Sequence, residues 1–402
     1  MTASAIKLSM TPEEAAACGM VIALHAEVAP DRPAILSPLG DRTYAALNAR
    51  SNQLVRALRS AGLKEGDAVA LLCANRPEFV ETCVALSRCG MRLTPINWHL
   101  TAEEIGYIVE NCEAKSFIAD ARFAEKAAEA SAMSPHLVQK LAGAGEIAGF
   151  TSYDEALAAE PAHNIEDPTA GTQMLYTSGT TGHPKGVYRK AAPPVSPLLV
   201  KLRETAAFDP TKDVALSTGP LYHAAPLALN LNFPLVSGVG VVLMDKWDAE
   251  ETLKLVAKHK VTHTHVVPTM LHRILSLPED VRNQYDVSSL RWVLHGAAPC
   301  PVHVKEDTIK WLGNVVYEYY AATEGGGIFV ESEEWLAKRG TVGRALEGVT
   351  VEVQDDAGVE IPAGEIGTIY FKAPETGQFE YFKAPEKTDG AYRGNYYTMG
   401  DM

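Results

Sequence analysis

The chain has six cysteines, Cys18, Cys73, Cys83, Cys89, Cys112 and Cys300, and no C-x-x-C pair among them. Such scatter offers neither a zinc knuckle nor a dithiol redox motif, and it fits buried free thiols in a reducing compartment. Positive charge is also scarce. Thirty-six Lys and Arg against 50 Asp and Glu leave a net charge of −14, whereas a nucleic-acid-binding surface needs a basic footprint for the phosphate backbone. No apolar run is long and uninterrupted: the best window, 227–244, carries Asn230, Asn232, Pro234 and Ser237, so it reads as a buried element and not as a membrane span. The N-terminus, Met1-Thr-Ala-Ser-Ala-Ile-Lys7, lacks a basic region with an apolar core behind it, and Glu13-Glu14 interrupt the next stretch, so no secretory leader is read. Internal repeats and long biased tracts are missing too. These absences leave a soluble, cytoplasmic, globular protein.

With 402 residues, 47% apolar and 21% charged, the chain is too long for one ordinary core and predicts two or three packed units. Its first half alternates apolar runs with amphipathic stretches. Segments 20–26 and 45–61 have helical spacing, 31–36 reads as a strand, and Ala68-Val-Ala-Leu-Leu-Cys73 is a continuous apolar run of the kind buried in a parallel sheet. Pro77–Leu86 comes next as a helix and 92–97 as a short edge strand. Thr101 and Glu104 make a capping box for a helix reaching Asn111, 116–119 is a strand, and 121–157 is Ala-rich and helical in part. The rhythm resumes with strands at 213–217, 238–244, 261–267 and 290–294 and helices at 224–231, 249–259 and 269–277, which predicts a second doubly wound sheet. From Thr341 the texture turns to period-two alternation, in Val349-Thr-Val-Glu-Val353 and Gly367-Thr-Ile-Tyr-Phe-Lys372 around a turn at 355–358. The expected fold class is therefore α/β: two doubly wound, mostly parallel sheets packed with helices, plus a small antiparallel β-barrel. Boundaries are expected at 1–190, 191–335 and 336–402.

The densest chemical signal is Tyr176-Thr-Ser-Gly-Thr-Thr-Gly-His-Pro-Lys-Gly186, entered from Gln173-Met-Leu. It reads as a strand running into a loop that holds polyphosphate. Thr177, Ser178, Thr180 and Thr181 offer hydroxyls, Gly179, Gly182 and Gly186 let the backbone turn its N–H groups inward, and Lys185 adds a point charge. Clusters of Ser, Thr, Gly and Pro are also ordinary turns, so composition alone leaves the choice open. This is not the common nucleotide loop, because G-x-x-x-x-G-K-[ST] needs glycine where Pro184 stands and Ser or Thr where Gly186 stands. The stretch does resemble, at every specified position, the Y-T-S-G-T-T-G-x-P-K-G phosphate loop of the adenylate-forming superfamily. That superfamily contains acyl-CoA synthetases, firefly luciferases and the adenylation domains of peptide synthetases.

Other segments resemble the same superfamily. Tyr319-Tyr-Ala-Ala-Thr-Glu-Gly325 is similar to its Y-G-x-T-E segment, with Ala321 where glycine is usual. The resemblance implies that Tyr320 stacks on adenine, Thr323 contacts the α-phosphate and Glu324 holds magnesium; by themselves these residues read as a turn with an exposed glutamate. His295-Gly-Ala-Ala-Pro-Cys300 is similar to the S-G-G-A-P loop that wraps adenine. There Gly296, Ala297 and Ala298 supply the small residues that let a backbone approach a base, and His295 stands where serine or another small residue is usual. Pro220-Leu-Tyr-His223 resembles a P-x-x-H/F segment, which implies that His223 gates the acyl tunnel; a lone histidine on an apolar segment is otherwise a core residue. Gly400-Asp401 resembles the end of Y-x-T-G-D, whose aspartate binds the ribose hydroxyls, with Met399 standing between Thr398 and Gly400. His263 and His265 lie two apart on a strand and would suit a metal pair, but no third ligand has matching spacing, and the stretch through Thr269 resembles a wall of the acyl pocket. Gly325-Gly-Gly327 leaves room for a substrate chain or makes a flexible loop.

Taken together the resemblance implies an ATP-dependent carboxylic acid–CoA ligase that forms an acyl-adenylate and then a thioester. Lys185, His223, Thr323 and Glu324 would stand at the reacting centre. Thr177, Ser178, Gly179, Thr180, Thr181, Gly182, Gly296, Ala297, Ala298, Tyr320 and Asp401 would surround the nucleotide. ATP and magnesium are the expected cofactors and coenzyme A the co-substrate. The partners are small molecules, without nucleic acid or a transmembrane segment, and a homodimer is the one protein partner considered. In the superfamily the aspartate is followed by a small domain carrying a catalytic lysine, whereas this chain stops at Met402. The expectation is a chain truncated before that domain and weakly active or inactive alone. The alternatives are a non-catalytic fragment that binds ATP or acyl-adenylate, and an adenylation domain that loads a carrier protein. A fatty acid, a ring-bearing acid and a steroid side chain all suit an apolar tunnel.

Overall fold

Five apolar residues in a row, Ala68–Leu72, are buried inside a six-stranded parallel sheet whose order is Thr151–Ser152, Gln139–Gly143, Ala114–Asp120, Ala68–Leu72, Arg92–Pro95, Thr172–Gln173. A strand covered on both faces has no solvent side to keep polar, hence the continuous apolar run. The structure is a computed structural model and describes residues 10–177, 183–191 and 194–402. The chain packs as two units, residues 1–186 with 209–247 and residues 187–208 with 248–402.

In the first unit Arg92–Pro95 is an interior strand, not the edge that its shortness suggests, because Thr172–Gln173 pairs on its far side and all four residues are buried. The Ala-rich stretch opens with a 3-10 turn at Ala121–Phe123 and is α-helical only at Ala124–Ala132 and Tyr153–Ala158; between them Gln139–Gly143 extends the sheet. The capping box is present: Thr101 Oγ1 accepts from Glu104 N at 3.3 Å, and the Glu104 carboxylate accepts from Thr101 N at 2.9 Å. Helix Pro77–Leu86 is buried at every residue, Glu81 included. Glu81 accepts from Arg42 Nε at 2.7 Å, Arg50 Nε at 2.6 Å and the Tyr153 hydroxyl at 3.0 Å, the compensation that a carboxylate needs to be buried.

A second set of strands in this unit, Val214–Ser217, Gly240–Leu243 and Pro33–Leu36, runs parallel, with Arg42–Thr43 antiparallel at its end. The pairing Ile35↔Val241 draws residues 209–247 into the first unit. Buried Asn75 fixes the segment that leads to His223. Its Nδ2 donates to Gly219 O at 2.9 Å and Met244 O at 3.1 Å, and its Oδ1 accepts from Leu221 N at 2.9 Å.

The second unit is built on the parallel strands His263–Val266, Trp292–His295 and Val316–Ala321, continued antiparallel by Gly326–Val330 and Arg344–Ala345. Helix Ala249–His259 begins at Asp248, whose carboxylate accepts from Glu251 N at 2.9 Å, and ends with Lys258 and His259 where the helix dipole favours cations. The C-terminal strands are antiparallel as expected. Their order, Val351–Gln354, Thr368–Lys372, Tyr396–Thr398, Tyr392–Arg393, makes an open sheet, so these strands are a small sheet and not a closed barrel. Residues 187–189 pair with Phe379–Tyr381, and Val187, Phe371, Phe379 and Tyr397 form the core there.

Candidate active site

Strand Trp292–His295 runs into Gly296, and a contact shapes the turn beyond it. A Cβ on Gly296 would lie 2.5 Å from the Tyr319 ring and 2.7 Å from Tyr319 O, so no larger residue fits between the two strand ends. Ala297 comes next at φ +64°, a left-handed conformation that costs an alanine on the order of 1 kcal/mol. Ala297 and Ala298 are exposed. Small residues standing clear of a strand end can lie flat against a base.

The neighbouring strand, Val316–Ala321, carries Tyr320 into a tight turn closed by Ala322 N to Gly325 O at 2.7 Å and Gly325 N to Ala322 O at 3.2 Å. Thr323 and Glu324 form its tip. Arg189 Nη2 holds the tip from outside, donating to Thr323 O at 3.1 Å and Glu324 O at 2.7 Å, while the Tyr381 hydroxyl donates to Glu324 Oε1 at 3.0 Å. Burial lowers the Arg189 pKa, and burial followed by the charge of Glu324 raises that of Tyr381. Sequence reasoning missed both residues. Neither belongs to a motif, and only strand pairing brings them to the turn.

Tyr320 lies over Phe371 at 6.0 Å between ring centroids, and its hydroxyl donates to Asp401 Oδ2 at 2.5 Å. Asp401 itself is exposed but its backbone is anchored, since Ile369 N donates to Asp401 O at 2.9 Å. Thr398 Oγ1 accepts from Gly400 N at 3.0 Å and donates to Ile369 O at 2.8 Å. The second unit thus brings together Gly296, Ala297, Ala298, Tyr320, Thr323, Glu324 and Asp401.

The remaining expected residues belong to the first unit. Thr177 ends the strand Leu175–Thr177; Ser178, Gly179, Thr180, Thr181 and Gly182 lie outside the described residues. Helix Ala102–Asn111 meets both flanks of that stretch: Tyr176 donates to Asn111 Oδ1 at 2.6 Å, and the His183 ring stacks on Tyr107 at 4.3 Å. Lys185 opens the strand Lys185–Arg189. His223 is exposed with its ring 4.5 Å from Tyr222, whose own ring stands edge-on to Trp98 at 6.1 Å. Its pKa is lowered by the surrounding protein and then by His99. The next segment, Pro226–Asn232, is π-helical where the sequence predicts an ordinary helix at 224–231, and π turns concentrate at functional sites.

His263 and His265 are buried and engaged within the core of the second unit. His263 Nε2 lies 2.8 Å from Ala206 O, and His265 Nε2 lies 3.1 Å from the Tyr319 hydroxyl. Among the described residues no three His, Cys, Asp or Glu side chains gather as a metal cluster. Glu324 fits a different kind of cation site. Tyr381 engages one of its oxygens and leaves the other for a hard cation whose remaining ligands are phosphate oxygens and water, the usual habit of magnesium.

A sequence model of the family described as AMP-binding enzyme matches residues 22–379. The chain belongs to the AMP-binding enzyme family. Among its relatives, long-chain-fatty-acid–CoA ligase FadD13 of Mycobacterium tuberculosis is 32% identical over 96% of this chain and 75% of its own length. Indoleacetate–CoA ligase of Aromatoleum aromaticum is 28% identical over 94% of this chain and 74% of its own. The inhibitor-bound crystal structure of the N-terminal domain of FACL13 from Mycobacterium tuberculosis matches with a TM-score of 0.77 at 28% identity, covering 95% of each chain. The α/β architecture is therefore that of a CoA-ligase N-terminal domain. Among the described residues no helix is long and apolar enough to cross a membrane.

Proposed function

We propose that this chain provides the nucleotide- and acid-binding residues of a carboxylic acid–CoA ligase. The reaction would join the acid to AMP with release of pyrophosphate, and then exchange AMP for the thiol of coenzyme A. The observation that carries this reading is the 2.5 Å hydrogen bond from Tyr320 to Asp401. Two residues 81 positions apart, expected on the base and on the ribose of one nucleoside, meet beside the small-residue loop 296–298 and the Thr323–Glu324 turn.

In this reading Gly296, Ala297 and Ala298 lie along the adenine, Tyr320 stacks on it, and Asp401 accepts the ribose hydroxyls. The substrate carboxylate attacks the α-phosphorus, a P–O bond forms, and the bond to pyrophosphate breaks. Thr323 donates to the α-phosphate oxygens as charge builds there, and Lys185 with the hydroxyls and backbone of 177–182 holds the departing pyrophosphate. Glu324 would hold a magnesium ion, whose charge would offset that of the leaving group. Arg189 and Tyr381 keep the turn in place so that little reorganisation accompanies the reaction. In the second step the thiol sulfur attacks the acyl carbon and AMP leaves. His223, beside Tyr222 and Trp98, lines the path of the acyl chain. The test is ATP–pyrophosphate exchange with a panel of long-chain and arylacetic acids. Acid-dependent exchange supports the ligase reading; AMP binding without exchange for any acid favours a nucleotide-binding fragment; no AMP binding refutes both.

A further inference from the structure

Directly under the loop 296–298 lies a group of charges that no expected role uses. His295 is wholly buried, and neither ring nitrogen has a hydrogen-bond partner among the described residues. An orphaned buried polar group is destabilising and requires an explanation. The neighbours of His295 are specific. His295 and Glu318 are paired across the parallel strands, and His295 Nε2 stands 3.7 Å from Glu318 Oε2. Glu318 is already paired with Lys305 at 2.5 Å, and the Lys305 ammonium rests 4.9 Å from the centre of the Trp335 ring. The next residue pair along the strands, Gly296 with Tyr319, is in tight contact. The other titratable groups that face the cluster are His265 and Cys300.

Burial, followed by the charges of Lys305 and His265, holds the His295 pKa well below its ordinary value, so the ring is neutral and presents one N–H and one lone pair. Burial likewise raises Glu318 and lowers Lys305. The 3.7 Å separation exceeds an N–H···O bond by roughly 0.7 Å, given an ordinary length of about 3.0 Å. Glu318 shares its strand with Tyr320, two residues on, and that strand continues into the Thr323–Glu324 turn. His295 is the root of the loop 296–298. The two expected sides of the adenosine site therefore meet at one unfinished hydrogen bond.

We infer that His295 is a positioning residue for adenosine: seating the nucleoside against 296–298 and Tyr320 shifts the His295 and Glu318 side chains through the remaining gap, with the strand ends already in contact at Gly296 and Tyr319, and His295 Nε2–H then donates to Glu318. The inference rests on the adenosine reading of this site. The new bond would tie the root of the loop 296–298 to the strand that carries Tyr320, and the orphaned imidazole is the cost of leaving that bond to be made on binding.

The test uses the 402-residue chain and AMP as the probe. Saturating AMP should shift the His295 imidazole ¹⁵N resonances to a single hydrogen-bonded tautomer. H295L, which removes the orphan, should melt no lower than the parent yet bind AMP roughly tenfold or more weakly, the worth of one hydrogen bond to a charged group. H295Q, which keeps a donor, should recover most of the affinity. An imidazole signal unmoved by AMP, or H295L and H295Q both binding within about twofold of the parent, overturns the inference while the adenosine site stands. Failure of the parent chain to bind AMP overturns the site and the inference together. If H295L does not fold, the ¹⁵N signal and H295Q decide.

Discussion

Gly325→Ala tests whether the Thr323–Glu324 turn is as tightly built as its contacts indicate. The added Cβ would stand 2.0 Å from the Tyr397 hydroxyl, about 1.4 Å short of the 3.4 Å at which ordinary contact begins. Tyr397 cannot swing away, because it is buried against Phe371 and Phe379, and its hydroxyl oxygen accepts from the Gly326 N–H. Gly325 also sits at φ +153°. Overpacking and backbone strain together make a cost of about 3 kcal/mol for Gly325→Ala. Tyr397→Phe alone gives up one hydrogen bond, about 1 kcal/mol. In the double variant the hydroxyl clash is gone and the nearest ring atom, Cζ, is at 2.9 Å, so the loss should be about 2.5 kcal/mol where additivity predicts about 4. Urea denaturation monitored by tryptophan fluorescence measures the cycle, and AMP titration should show affinity falling in Gly325→Ala and partly returning in the double variant. Additivity within about 0.5 kcal/mol would refute the argument, since independent sites behave that way.

Asp401→Ala should weaken AMP binding roughly tenfold to a hundredfold by removing a charged acceptor, with stability to urea falling by no more than the lost Tyr320 hydrogen bond, about 1 kcal/mol; Tyr320→Phe should weaken binding less, and calorimetry separates the two. Acid stability has a defined direction. His265 is pushed down to about 3 by burial, below its ordinary value of about 6.5, so the unfolded chain binds more protons between those values. Its contribution is fully present above about pH 6.5 and drains as pH falls towards about 3, at up to about 1.4 kcal/mol per pH unit. Melting temperature against pH should therefore be shallower in His265→Gln than in the parent, and parallel curves would contradict the assignment.

Legibility in the sequence divides along a physical line. The run Ala68–Leu72, the Thr101–Glu104 box and helix Ala249–His259 are legible because each is decided within a few residues, by burial on two faces, by a side chain reaching its own helix end, or by helical spacing. Arg92–Pro95 reads wrongly as an edge strand because its far-side partner, Thr172–Gln173, comes from a distant part of the chain. Residues 209–247 join the first unit for a similar reason, the Ile35↔Val241 pairing. The candidate site shows the same division. Residues that would meet a ligand with their own backbone or hydroxyl, as at 177–182 and 296–298, must be small or hydroxylated in a given order, and that order is visible as a motif. Arg189, Tyr381 and Glu318 act by holding other residues in place. Any strand that brings a donor or acceptor to the right atom would serve, so their positions carry no local spacing. His295 lies between the two classes: it occupies a motif position in the sequence, but Glu318, the acceptor inferred for it, is placed only by strand register. Departures from a motif that acquire a specific buried partner in the fold are thus the places where substitution is most informative, since their effect on binding can be separated from their effect on stability.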